Sequence, residues 1–100
     1  MPRLALLANL QAKPGKGAEV AQLLTSALPV AQAEAGTTSW FALQLGPETF
    51  GIFDTFDAES GRQAHLNGPI ATALMAKASE LLAQPPSMER VDILASKLPH

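Results

Sequence analysis

The chain has 100 residues, of which 47% are hydrophobic and 16% are charged, with a formal net charge of −2. This length suits a single domain, residues 1–100, and the apolar fraction excludes a disordered tail. The seven basic residues are scattered, so nucleic acid is not an expected partner. The absence of cysteine excludes disulfides, thiolate catalysis and zinc–thiolate sites.

The first segment with a clear pattern is the apolar run Leu4–Leu10, which a Lys-Pro-Gly turn closes. It favours a strand in the middle of a sheet. Asn9 and Gln11 interrupt the run too early for a signal peptide, and the run is far shorter than the ~20 residues of a membrane span. We therefore expect a cytoplasmic protein that does not contact a membrane.

A helix is predicted from Gly17 to near Gly36, because apolar residues recur there at helical spacing. Pro29 lies inside this helix and should kink or break it, since proline lacks the N–H that the helix needs. The next two runs, Thr37–Leu45 and Thr49–Phe56, are rich in β-branched and aromatic residues and flank a Gly-Pro-Glu turn. They predict a hairpin.

Two further helices and a last strand are predicted after the hairpin. Asp57 is a suitable N-cap for a short helix that ends near Leu66. A longer helix should begin at Pro69 and continue until Pro85-Pro86. The final run, Met88–Leu98, has the pattern of a strand.

The order of these elements is β-α-β-β-α-β with one small extra helix, which is the ferredoxin-like α+β pattern with a four-stranded antiparallel sheet. Both helices of such a fold cover one sheet face and leave the other bare. That bare face carries either Ala5, Leu7 and Asn9 or the alternate set Leu4, Leu6, Ala8 and Leu10. Since either set leaves a large apolar surface, we expect a homodimer that forms through the sheet faces.

The segment from Phe50 to Pro69, FGIFDTFDAESGRQAHLNGP, resembles the antibiotic biosynthesis monooxygenase family. That family shows an aromatic strand with an acidic residue, then an aromatic, an acidic cap, a short helix ending in Ala-His and a long helix. Lys13–Lys16 and Glu34–Thr37 look like two more of its landmarks. The resemblance covers almost the whole chain and implies a dimeric α+β barrel.

The resemblance leaves the chemistry open, because the family includes cofactor-independent oxygenases of quinols and aromatic polyketides, haem-degrading relatives and members with no assigned activity. Many members have Trp or Tyr where this chain has Phe56. The long helix contains no histidine, so the haem ligand of the haem-degrading relatives has no counterpart. We expect no cofactor and no metal.

His65 is the candidate general base, because its pKa lies in the working range for proton transfer. It shares a helix stripe with Ala58 and Gly61, small residues that would let this face approach the sheet. The alternative is a helix-end histidine bonded to a carbonyl or to water. Asn9, the one strongly polar residue of the first strand, either orients a substrate or oxygen atom or bonds across the sheet.

All five aromatic residues lie in the hairpin, and Trp40, Phe53 and Phe56 are the candidate substrate-binding residues. Flat apolar walls suit an aromatic ligand, although a plain core or a dimer interface explains them equally well. Asp54 and Asp92 fall within predicted strands. A salt bridge is the expected role of both.

The leading hypothesis is a cofactor-independent monooxygenase that combines small hydroxylated aromatics, such as hydroquinones, with O2. His65 would deprotonate the phenol and Asn9 would orient an oxygen. The first alternative is a non-catalytic dimer that binds a small apolar metabolite. The second is a tautomerase that uses Pro2 as an N-terminal amine after removal of Met1.

Overall fold

The computed structural model describes residues 3–99. In chain order its elements are β1 (Leu4–Gln11), α1 (Gly17–Ser26), α2 (Leu28–Gln32), β2 (Thr37–Gln44), β3 (Thr49–Phe56), α3 (Glu59–Leu66), α4 (Pro69–Leu81) and β4 (Ser87–Asp92). Pro2, the candidate tautomerase residue, lies outside the described residues. Within residues 3–99 no helix is both long enough and apolar enough to span a lipid bilayer.

The four strands form one antiparallel sheet in the order β2-β3-β1-β4. The two central strands are therefore β1 and β3, as the apolar run and the topology predicted. Leu6 pairs with Asp54 on β3, and Asn9 pairs with Gly51. This register decides which side chains share a face. The ferredoxin-like α+β prediction is confirmed.

The helices cover the face that carries the even-numbered residues of β1 and β3. The core is formed by these residues together with α1 and α4: Ala8, Leu10, Val20, Leu24, Phe50, Ile52, Leu74 and Leu81. Since side chains alternate along a strand, Leu7, Asn9 and Phe53 lie on the opposite face. Of the two sets of β1 residues that the sequence left open for the bare face, the structure therefore places Ala5, Leu7 and Asn9 there.

The predicted first helix is two helices, because the chain leaves helical hydrogen bonding at Ala27. The break comes two residues before Pro29. Proline at position 29 cannot donate to the carbonyl of Thr25, and its ring crowds that turn, so α1 ends at Ser26. The expected break at Pro29 is confirmed, with α2 as a separate short helix after it.

Three predicted boundaries were wrong. The N-cap of α3 is Ala58 in extended conformation, and Asp57 is an exposed residue before it. Helix α4 ends at Leu81, because the next residue is extended and pairs with Ala12 as an isolated bridge. Strand β4 ends at Asp92, and residues 93–99 have no regular secondary structure.

Candidate functional site

His65 lies buried between two carboxylates that come from different parts of the chain. Its Nδ1 is 2.7 Å from Oε1 of Glu34, and its Nε2 is 2.8 Å from Oδ2 of Asp54. The side chain of His65 is 8% exposed and that of Asp54 is 1% exposed. Thr37 donates a second hydrogen bond, of 2.8 Å, to the same Glu34 oxygen. We call Glu34, Asp54 and His65 the carboxylate–histidine cluster.

Three elements bring the cluster together. Strand alternation places Asp54 on the helix-covered face of β3, between Ile52 and Phe56. His65 comes from the last turn of α3, and Glu34 from the segment between α2 and β2. The cluster therefore ties α3 to the sheet and to the connection before β2.

Two glycines allow this close approach. The Cα of Gly61 on α3 is so near Gly36 that a Cβ added at Gly36 would lie 2.8 Å from it. A Cβ added at Gly61 would lie 2.7 Å from the carbonyl oxygen of Gly36. Real Cβ atoms do not make such contacts with backbone, so only glycine fits at both positions. The small-residue stripe of α3 was predicted to approach the sheet, and its Gly61 instead meets the α2–β2 connection at Gly36.

Two more contacts fix α3 and the imidazole. The ring of Phe56 packs against the imidazole of His65 at a tilt, with 5.6 Å between the ring centroids. Arg62, also buried, donates to the carbonyl oxygen of Ala5 on β1 at 3.2 Å and pairs with Glu59. These contacts hold the imidazole in one place before any ligand binds.

The carboxylates determine the charge of His65. Burial by itself would lower the pKa of the imidazole, but the hydrogen bonds and charges of Asp54 and Glu34 outweigh it and raise the pKa to about 9. At neutral pH His65 is therefore an imidazolium, with both nitrogens donating. In that charge state the imidazole already carries the proton that a general base must accept, and the role of His65 as the base stays a prediction.

Asp54 lines a cavity and has one carboxylate oxygen without a hydrogen-bond partner among residues 3–99. Its Oδ1 is buried and has no hydrogen-bond partner among residues 3–99, and Oε2 of Glu34 is in the same condition. Asp54 and His65 line a cavity with Leu6, Ala8, Ile52, Leu66, Ile70, Ala71, Leu74 and Met88. About 20 Å³ of this cavity can hold the centre of a water molecule, which is room for one water or one hydroxyl group.

A larger apolar cleft adjoins the cavity. It has about 210 Å³. Its lining includes Leu23, Leu24 and Ser26 of α1, Ala27 between the helices, Val30 of α2, and Pro69 and Ala73 of α4. Ile52, Ile70 and Leu74 line both the cavity and the cleft. A cavity of about 150 Å³ can hold benzene, so the cleft is large enough for one aromatic ring.

The predicted site residues divide between the two sheet faces. Phe56 is fully buried against His65, and Trp40, the cross-strand neighbour of Asp54, lies half-buried on the same face. Asn9 is exposed on the opposite face, where Phe53 packs beside Leu7 across the strands. Asn9 and Phe53 therefore do not border the cavity at His65, and the single pocket expected from the sequence is not formed within one protomer.

The two aspartates predicted to form salt bridges differ. Asp54 does form one, with His65, while Asp92 is exposed and has no ion pair among residues 3–99.

Sequence reasoning missed Glu34 as a site residue, although Glu34–Thr37 stood out as a landmark. Within the described part of the chain no group of His, Asp or Glu side chains is arranged to hold a metal ion.

Comparison with known proteins supports the fold and identifies a relative. No protein-family model and no curated protein sequence matches the chain. The crystal structure of the NE2512 protein of unknown function from Nitrosomonas europaea is 61% identical, with a TM-score of 0.96, and the match covers 100% of this chain and 97% of that one.

More distant solved structures carry the name of an enzyme family. One from Nitrosomonas europaea, provisionally named an antibiotic biosynthesis monooxygenase, is 14% identical with a TM-score of 0.81, covering 92% of this chain and 99% of that one. Another so named, from Caulobacter crescentus, is 18% identical with a TM-score of 0.78, covering 94% and 92%. The resemblance seen in the sequence is thus confirmed in the fold. The chain belongs to the same protein family as NE2512, and its fold is that of the antibiotic biosynthesis monooxygenases.

Proposed function

We propose that this protein is a cofactor-independent monooxygenase of small hydroxylated aromatic compounds such as hydroquinones, with the cavity at Asp54 and His65 as its active site. The observation that carries the proposal is the buried Oδ1 of Asp54, which lacks a partner among residues 3–99 beside an apolar cavity. A phenol presents a hydroxyl donor on a flat apolar ring, which matches this combination. The names of the distant structural neighbours support an oxygenase.

Asp54 is the general base in this mechanism. The substrate hydroxyl donates to Oδ1 of Asp54, and the proton moves to the carboxylate as the ring loses an electron to dioxygen. His65, held by Glu34 on its other side, fixes the Asp54 carboxylate in the position that accepts this proton. Overall, one hydroquinone and one O2 give one hydroxyquinone and one water, so the substrate supplies all the electrons.

The ring of the substrate would lie against Ile52, Ile70 and Leu74, the side chains shared by the cavity and the cleft. These residues exclude water from the hydroxyl and strengthen its hydrogen bond to Asp54, because the local dielectric constant is low. Met88 of β4, which is 40% exposed, lies at the edge of the cavity. A one-ring substrate fits this space better than a fused polyketide.

A homodimer is part of the proposal. The sheet face away from the helices carries Phe41, which is 52% exposed, beside the half-buried Phe53 and Leu7. A second copy that packs sheet to sheet would cover these apolar side chains. It would also place Asn9 and Phe53 at the interface, where they have partners without belonging to the cavity.

The proposal is tested by oxygen uptake with a set of hydroquinones, and by mass spectrometry of the product formed under ¹⁸O2. We expect one labelled oxygen atom per product. In Asp54→Asn the rate should fall roughly 100-fold, the lower range for loss of a positioned proton acceptor. Asp57→Asn is the matched control. Asp57 is exposed and directly follows the same strand, so this variant should leave the rate unchanged.

A rate equal to that of heat-denatured protein with every hydroquinone would contradict the proposal. So would an Asp54→Asn variant as active as the parent. If the protein binds these compounds without using oxygen, it is the non-catalytic binding protein of the alternative hypothesis.

A further inference from the structure

We propose that the cavity at Asp54 selects its ligand by charge and by hydrogen-bond donor: it binds neutral or cationic aromatic compounds that carry an O–H or N–H, and rejects both anions and compounds with acceptors alone. This inference rests on the proposed function for the location of the ligand. It adds the class of head group that the site accepts, which decides whether substrate and product compete for it.

The requirement for a donor follows from Oδ1 of Asp54. The residue is 1% exposed and lines the cavity, and one of its oxygens is already bonded to His65 while the other has no partner among residues 3–99. A buried carboxylate oxygen left without a donor costs free energy. A ligand that donates to it recovers that cost, whereas a ligand with acceptors alone leaves the oxygen without a donor.

The rejection of anions follows from the charge of the whole cluster. Two carboxylates, Glu34 and Asp54, surround one imidazolium, so the cluster carries a net charge of −1. Both N–H groups of His65 point to these carboxylates and neither is free to bind a ligand. A carboxylate or phenolate head group would therefore meet the bare oxygen of Asp54 without a cation to pair with it.

The apolar wall of the cavity reinforces both the requirement for a donor and the rejection of anions. Apart from Asp54 and His65, all its lining residues are apolar, so the site offers no other polar group to a ligand. Its inner part admits one hydroxyl or amino group. A reduced hydroquinone donates a neutral O–H to Oδ1. The O–H of the hydroxyquinone product is a vinylogous carboxylic acid and ionises at neutral pH, so this product is an anion with acceptors alone. The same oxygen atom would thus hold the substrate and release the oxidised product.

The test measures binding in the absence of oxygen, by NMR titration of the methyl groups of Ile52, Ile70 and Leu74. The probes are phenol and aniline as donors, fluorobenzene as a ring of similar size without a donor, and benzoate as an anion. We expect phenol and aniline to bind at the cavity. Fluorobenzene should bind roughly 10- to 150-fold more weakly, the range for one hydrogen bond to a charged group. Benzoate should cause no shift.

Equal affinities for phenol and fluorobenzene, or binding of benzoate, would overturn the inference with no variant needed. In Asp54→Asn the preference for phenol over fluorobenzene should shrink, and in Asp57→Asn it should not; a preference unchanged in Asp54→Asn also overturns it. The two proposals fail separately. Selective phenol binding without oxygen uptake contradicts the monooxygenase proposal alone, and oxygen uptake without selectivity contradicts this inference alone.

Discussion

The imidazole of His65 illustrates how neighbours reverse the effect of burial. A histidine this deeply buried is ordinarily neutral, but here each ring nitrogen contacts a carboxylate, and the pKa rises to about 9. In the unfolded chain the same group has a pKa near 6.5. The folded state therefore holds this proton more tightly than the unfolded state does.

This difference predicts how stability depends on pH. Because the folded pKa is raised, the stabilisation is fully present below pH 6.5 and is lost as the pH rises through about 9. The free energy of unfolding should decrease by up to about 3 kcal/mol across this interval, as urea denaturation at a series of pH values would measure. In His65→Gln this slope should disappear. A parent protein whose stability is constant from pH 6.5 to 9 would contradict the assignment.

The sequence predicted part of this site. Asp54 was expected in a salt bridge, because a charge within a buried strand must be paired. For His65 the sequence left two alternatives, an inward position on the stripe that it shares with Gly61 or a helix-end position bonded to a carbonyl or to water. The partner Glu34 could not be predicted, since it is 31 residues from His65 and the contact depends on how the α2–β2 connection folds. The charge of His65 depends on that same contact, so it too was missed.

At the scale of elements, the contact between Gly36 and Gly61 holds the α2–β2 connection against α3. Alanine at position 61 would place its Cβ 2.7 Å from the backbone oxygen of Gly36 and force the two segments apart. We expect Gly61→Ala to lower the free energy of unfolding by about 1–3 kcal/mol and to lower the pKa of His65, because Glu34 moves away. Denaturation and NMR titration measure the two effects.

Gly46→Ala is the control for this variant. Position 46 lies in the β2–β3 turn, and a Cβ there would approach no atom more closely than 3.9 Å. Its stability should match the parent. A Gly61→Ala protein as stable as Gly46→Ala would show that the close approach is not required.

The elements themselves were largely predictable, and their errors have local causes. The β-branched and aromatic residues and the Gly-Pro-Glu turn identified the hairpin, and apolar residues at helical spacing identified α1 and α4. Strand β4 stops at Asp92 because its partner β1 begins at Leu4, the residue paired with Asp92. Ile93 still donates a backbone hydrogen bond to the carbonyl oxygen of Arg3, but residues 93–98 form no strand, although their apolar pattern led the sequence to predict a longer one.

At the scale of the whole molecule, the helices protect only one face of the sheet. We expect a homodimer of two 10.5 kDa chains through the other face. Phe41→Glu should convert it to a monomer, because the charge would be buried in the interface, and light scattering measures the mass. Met75→Glu, at an exposed position on α4, should remain dimeric. A parent protein that is monomeric, or a Phe41→Glu variant that stays dimeric, would contradict the predicted interface.

Both the proposed chemistry and the ligand selectivity depend on a charged His65 whose two N–H groups are held by Asp54 and Glu34. The most direct measurement is ¹⁵N NMR of the imidazole of His65 at pH 7.5, with His65→Gln to identify its signals. We predict that both Nδ1 and Nε2 carry a proton, with the form persisting until the pH approaches 9. A neutral ring at pH 7.5, with one nitrogen bare, would contradict this structure of the site.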